Sequence, residues 1–96
     1  MKMIMIICPD HRIAELREQI RKHNIHAYTE LKDVAGEGLT GKKLGTRLWP
    51  EKSIIVFTVI SDDRKDDLLA DLRRCSESLF PEEGMRVFVL PVEAVI

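Results

Sequence analysis

Three stretches of this chain are apolar on both of their alternating faces, and that pattern restricts the possible fold more than any other feature. In the first, Ile4, Ile6 and Cys8 alternate with Met3, Met5 and Ile7. In the second, Ile54, Val56 and Ile60 alternate with Ile55, Phe57 and Val59. The last carries Val87 and Val89 on one side against Phe88, Leu90 and Val92 on the other. The first is too short for a buried helix and the second is densely β-branched, so the three read as strands. Side chains of a strand point alternately to the two faces of its sheet, so both faces need cover.

The intervening segments supply two amphipathic helices and one wetter strand. Pro9 and Asp10 open the first helix, with Ile13, Leu16 and Ile20 as its apolar stripe. Arg12, Glu15, Arg17, Glu18, Arg21 and Lys22 take the water side, and Asn24 suits the left-handed position that ends a helix. From Ile25 to Ala35 the alternation predicts an edge strand, with Ile25, Ala27, Thr29 and Leu31 inward and His26, Tyr28, Glu30 and Lys32 outward. Ser61, Asp62 and Asp63 start the second helix, where Ser61 or Asp62 is expected to accept the orphan amides. Leu68, Leu72, Cys75 and Leu79 form its stripe, and Pro81 and Gly84 punctuate the return to a last strand over Met85–Val92. The order is α+β, a ferredoxin-like βαββαβ plan: a four-stranded antiparallel sheet with two helices on one face. Two helices cover only one face. The other leaves more than the roughly 300–600 Å² of apolar patch usual for a monomer, so a homo-oligomer is expected.

With 96 residues, the chain reads as a single domain, 1–96, interrupted by a long loop, 36–52. Lys and Arg number 15 against 16 Asp and Glu, for a formal charge of −1, which argues against nonspecific nucleic-acid or membrane binding. Cys8 and Cys75 form no Cys-x-x-Cys pair, and so small a secreted scaffold usually carries more cysteines. Met3 to Cys8 imitates a signal peptide, but Pro9, Asp10 and His11 end it short of an h-region. No segment is long and apolar enough for membrane insertion. A cytoplasmic protein is expected.

Chemistry concentrates in the loop. Gly36-Glu37-Gly38-Leu39-Thr40-Gly41 spells a dinucleotide fingerprint, and Gly36 to Lys42 nearly spells a P-loop. Both motifs need a helix to follow at once, whereas Gly45 and Pro50 break the segment and a strand begins by Ile54. Their physics survives: glycines let amides approach an anion, and Lys42, Lys43 and Arg47 add positive charge. Leu44, Leu48 and Trp49 sit among these charges as a candidate partner surface, the alternative being that Trp49 packs back as an anchor on its own subunit. Two weaker sets have metal-ligand character: Cys8 with Asp10 and His11, and His23 with His26. Each has an ordinary structural reading, so no metal is assigned. The carboxylates Asp62, Asp63, Asp66 and Asp67 complement the amino end of a helix. No catalytic set stands out, and an acylphosphatase-like reading fails because Cys8-Pro9-Asp10-His11-Arg12 is not that family's glycine-rich loop.

Taken in order, these features resemble the PII nitrogen-regulatory superfamily, in a divergent PII-like branch. The resemblance rests on the first strand ending near a proline and on Gly36 and Gly38 at the entry to a long loop, the family's T-loop. It rests also on Gly84-Met85-Arg86-Val87-Phe88-Val89, similar to the family's Gly-x-Lys-Ile-Phe-Val, and on Val92-Glu93 near the end. It implies a non-enzymatic, ferredoxin-like homotrimer that binds an adenine nucleotide effector, not a fixed cofactor, at subunit clefts and regulates a target protein through its loop. Nucleotide or anion contacts then fall to Gly36, Gly38, Gly41, Lys42, Lys43, Arg47, Gly84 and Arg86, with Arg86 in the place of the family's phosphate-binding lysine. The sequence departs from the family in three respects. It stops at Ile96, where members continue into an Arg-x-Arg phosphate clamp; its loop contains no tyrosine to modify; and the loop lacks the glutamine that members use for magnesium and 2-oxoglutarate. The alternative expectation is a trimer of the same fold that binds a metal or another small molecule through Cys8, Asp10 and His11 or through His23 and His26.

Overall fold

The computed structural model describes residues 1–38, 41–43, 52–78 and 84–96. The chain runs through strand β1 (Lys2–Pro9), a 3-10 turn (Asp10–Arg12), helix α1 (Ile13–Lys22) and strand β2 (Thr29–Val34). Two short strands follow, β3 (Gly36–Gly38) and β4 (Gly41–Lys43), then β5 (Ser53–Ile60), helix α2 (Asp62–Glu77) and β6 (Arg86–Pro91). Four strands form one antiparallel sheet in the order β2-β5-β1-β6. This is the expected ferredoxin-like plan. The loop contributes more order than its composition suggests, because β3 and β4 pair as an antiparallel hairpin with Gly36 opposite Lys43 and Gly38 opposite Gly41.

The core lies between the helices and one face of the sheet. Ile4, Ile6 and Cys8 from β1 and Ile54, Val56 and Ile60 from β5 pack with Leu16 and Ile20 of α1 and Leu68 and Leu72 of α2. Burying an aliphatic side chain of this kind stabilises the fold by roughly 1.5–3 kcal/mol. Ile13 and Cys75 extend the two helical stripes at the margin of the cluster; Leu79, the last residue expected in the second stripe, lies outside the described residues. On the opposite face Met3 stands across from Val59 and Leu90, Met5 from Phe57 and Phe88, and Ile7 from Ile55. None of these open-face side chains is buried, and Phe88 is 48% exposed. The two-faced strands thus meet helices on one side only.

Four local expectations need correction. The inward face of the second strand is reversed along its paired length: Glu30 stands opposite buried Val56, whereas Leu31 stands opposite Ile55 on the open face and is 49% exposed. Residues 25–28 are outside the ladder. The Ile25 amide bonds to the Ile20 carbonyl, and the Thr58 hydroxyl donates to the Ala27 carbonyl at 2.7 Å, so the alternation restarts at Thr29. Glu30 is accommodated toward the helices because Arg17 donates Nε to Oε1 at 2.7 Å and Nη2 to Oε2 at 2.9 Å. The α-helix begins at Ile13, not at Pro9 or Asp10, because Pro9 still pairs with Ser53 and the Asp10 amide bonds to the Lys52 carbonyl at 3.1 Å. Ser61 occupies the N-cap position of α2 without making a side-chain cap. Its hydroxyl bonds to the Asp63 carboxylate, which holds the Asp63 carboxyl below its ordinary value. Last, residues 36–38 and 41–43, read from the sequence as part of a loop, form the two short strands of the hairpin already described. Asn24 does adopt the left-handed conformation, with φ 57°.

Candidate functional site

Antiparallel pairing brings four chain segments to one end of the sheet: the end of β1, the end of β2, the start of β5 and the start of β6. Val34 and Pro9 both pair with Ser53, and Ile7 pairs with Arg86. The hairpin extends from β2 at this end, and its register returns Lys42 and Lys43 to positions opposite Glu37 and Gly36. These lysines therefore sit toward the hairpin's base along the strand pair. On the far edge, Met85 is buried in the core and fixes the entry to β6, while Arg86 is exposed. Gly84 precedes it with φ 62°, a conformation that disfavours any side chain with a Cβ.

Gly36 and Gly84 are glycines for different physical reasons. A Cβ built on Gly36 meets no atom of the described residues within 4 Å, so none of them excludes a side chain there. The requirement at Gly84 comes from backbone conformation, whereas open space at Gly36 leaves room for a group from outside. The strand order separates the candidate contacts: Gly36 follows edge strand β2, and Arg86 begins the opposite edge strand β6. Three inter-strand spacings of about 4.8 Å put the edges roughly 14 Å apart. The structure thus brings Gly36, Gly38, Gly41, Lys42, Lys43, Gly84 and Arg86 to one end of the sheet, but divides them between its two edges. Arg47, Leu44, Leu48 and Trp49 lie outside the described residues.

One feature of the loop base was not found from the sequence. Lys52, just before β5, donates from Nζ to Asp33 Oδ1 at 3.3 Å and so ties together the two stems of the segment. Asp33 lies where the β2–β5 register shifts and has φ 59°. Aspartate tolerates this left-handed geometry better than most residues, which was the available signal. The metal-ligand candidates do not converge. Cys8 is buried, and burial, then the neighbouring Cys75 and Glu15, push its thiol up to about 12. Its Sγ donates to the Pro9 carbonyl at 3.3 Å. His23 Nε2 lies 2.5 Å from Asp71 Oδ2, between the helices, while His26 is exposed. Among the described residues no group of three His, Cys, Asp or Glu is arranged to hold a metal ion.

A four-stranded ferredoxin-like sheet with two helices on one face and a glycine-bearing hairpin at one end defines a small α+β protein. The chain belongs to the nitrogen regulatory protein P-II family, whose sequence model matches residues 1–96. Among solved structures it is similar to CPII, a nitrogen regulatory PII-like protein from Thiomonas intermedia K12, bound to ADP, AMP and bicarbonate. The two are 17% identical over 93% of this chain and 88% of that one, with a TM-score of 0.76. The structure of the same protein bound to ADP and bicarbonate is 18% identical, covering 92% and 81%, with a TM-score of 0.77. A putative PII-like signaling protein from Thermus thermophilus is 19% identical over 92% of this chain and 82% of that chain, with a TM-score of 0.65. No curated protein sequence matches the chain. Among the described residues no helix is long and apolar enough to cross a membrane.

Proposed function

We propose that this chain is a non-enzymatic cytoplasmic signalling protein that binds an adenine nucleotide in the clefts of a homotrimer. It reports occupancy to a target protein through residues 36–52. The observation that carries the reading is the division of the candidate contacts between opposite edges of one sheet end. In a closed ring of copies, the β2 edge of one subunit meets the β6 edge of the next, and the two half-sites converge. The same closure covers the open apolar face formed by Met3, Met5, Phe57 and Phe88. The likeness to CPII, solved with ADP and AMP, supports the choice of nucleotide.

In this arrangement Gly36, Gly38, Gly41 and Gly84 allow the backbone close to the ligand, and Lys42, Lys43, Arg47 and Arg86 supply positive charge. Arg86 offers a planar fork to two phosphate oxygens at once. A ligand that contacts the loop base binds one loop arrangement better than the others and shifts the population toward it by that difference in affinity. Leu44, Leu48 and Trp49 then provide the surface the target reads. Isothermal titration with ATP, ADP and AMP tests the proposal, together with limited proteolysis of the loop. Binding of at least one nucleotide, weakened by Arg86→Ala and accompanied by altered cleavage within 36–52, is expected. Absence of heat with all three nucleotides and an unchanged cleavage pattern refutes it.

A further inference from the structure

Cys8 and Cys75 lie in different elements, yet the topology places one over the other. Helix α2 connects β5 to β6, the two strands that flank β1, so the crossover passes above β1. The start of α2 is level with the start of β1: the Met1 amino group lies 3.2 Å from Asp62 Oδ1, and Lys2 pairs with Ile60. From Asp62, thirteen residues of helix at about 1.5 Å each reach Cys75, roughly 20 Å along. From Lys2, six residues of strand at about 3.3 Å each reach Cys8, again roughly 20 Å along. Both side chains face the same interior, Cys8 as a member of the core cluster and Cys75 packed against it. The electrostatic influence of Cys75 on the Cys8 thiol agrees with that proximity.

The two thiols differ in access. Cys75 is half-buried and lines a groove of about 570 Å³ between α1 and α2, beside Glu15, Gln19, Asp71 and Arg74. Cys8 belongs to the core itself and is 1% exposed. Both are free thiols. We propose that Cys75 and Cys8 act as a front-and-back thiol pair, an oxidative modification site that closes into an intramolecular disulfide. The oxidant is a small disulfide such as oxidised glutathione, which enters from the groove. Burial, then Glu15, push the Cys75 thiol up, so it must first give up its proton; its sulfur then attacks one glutathione sulfur, forming a mixed disulfide and releasing one glutathione thiolate, which takes up that proton. Cys8 then gives up its proton and attacks the Cys75 sulfur, forming the protein disulfide and releasing the second glutathione. Two protein thiols lose two electrons and two protons, and one glutathione disulfide gains them. The bond staples the last turns of α2 to the end of β1.

The test uses the full chain, reduced and then incubated with oxidised glutathione under native conditions. It is followed by N-ethylmaleimide quenching, intact-mass measurement and peptide mapping. The wild-type protein is expected to lose two hydrogens, accept no maleimide and yield a Cys8–Cys75 linked peptide. Cys8→Ser is expected to stop at a glutathione adduct on Cys75, and Cys75→Ser to keep Cys8 free of glutathione. A wild-type protein that stops at the adduct, remains fully alkylable or links between chains overturns the inference. The readout is covalent mass, so it stands or falls independently of nucleotide binding.

Discussion

Phe88 offers the sharpest test of how the open face is used. It stands opposite Met5 on the face that the helices do not cover, with 48% of its surface exposed in the subunit. A buried aromatic side chain removes about 150–250 Å² from water, so roughly 100 Å² of this ring remains for a neighbour to cover. At about 25 cal/mol per Å² that area contributes about 2.5 kcal/mol per subunit on assembly, as an upper estimate. Phe88→Ala removes most of it, about 2 kcal/mol per subunit or about 6 kcal/mol over the three subunits of the proposed trimer, equivalent to roughly four orders of magnitude in the assembly constant. Sedimentation velocity over a dilution series measures the shift, and far-ultraviolet circular dichroism checks that the subunit still folds. The variant is expected to dissociate at concentrations where the wild type stays assembled, with its secondary structure intact. A wild-type protein that is monomeric at micromolar concentration, or a variant that assembles as tightly as the wild type, refutes the reasoning.

Replacing Gly84 by Ala forces a Cβ onto a residue with φ 62° and is expected to cost about 1–2 kcal/mol in a urea titration, with Gly84→Asn recovering part of the loss. Gly36→Ala meets no atom of the described residues within 4 Å, so its melting temperature is expected to match the wild type while nucleotide affinity falls at least tenfold; unchanged affinity removes close backbone approach from the proposed site. The Glu30 carboxyl is held below its ordinary value of 4.5, first by the hydrogen bonds from Arg17. Its contribution is therefore fully present above that ordinary value and is lost as pH falls through the lowered one. Glu30→Gln is expected to lower the urea midpoint at neutral pH and to converge with the wild type in acid, and a constant difference across that range counts against the pair.

Much of the architecture could be read from residue order, because alternation and helical spacing are local signals. The two-faced pattern of β1, β5 and β6 identified three of the four strands of the sheet, and Leu16, Ile20, Leu68 and Leu72 marked the covering faces of the helices. The second strand was harder to orient. Its alternation runs unbroken through Ile25, Ala27, Thr29 and Leu31, and nothing local reveals that residues 25–28 bond outside the ladder and shift the face. Arg17 and Glu30 are 13 residues apart, so their pairing could not be inferred from helical spacing. The hairpin within the glycine-rich segment was similarly hidden, since three-residue strands carry too few side chains to show a period.

For the candidate site, residue types and their order established a supply of glycines and cations around one long connection and one arginine at the entrance to the last strand. Only the tertiary structure decided that Gly36 and Arg86 share a sheet end but occupy opposite edges, that Asp33 and Lys52 join the stems of the loop, and that Cys8 and Cys75 pack on one core. The physical reason is the range of the information. Backbone preference and side-chain alternation are properties of neighbours in the chain, whereas strand order and the level at which a helix crosses a strand arise from pairings between distant segments.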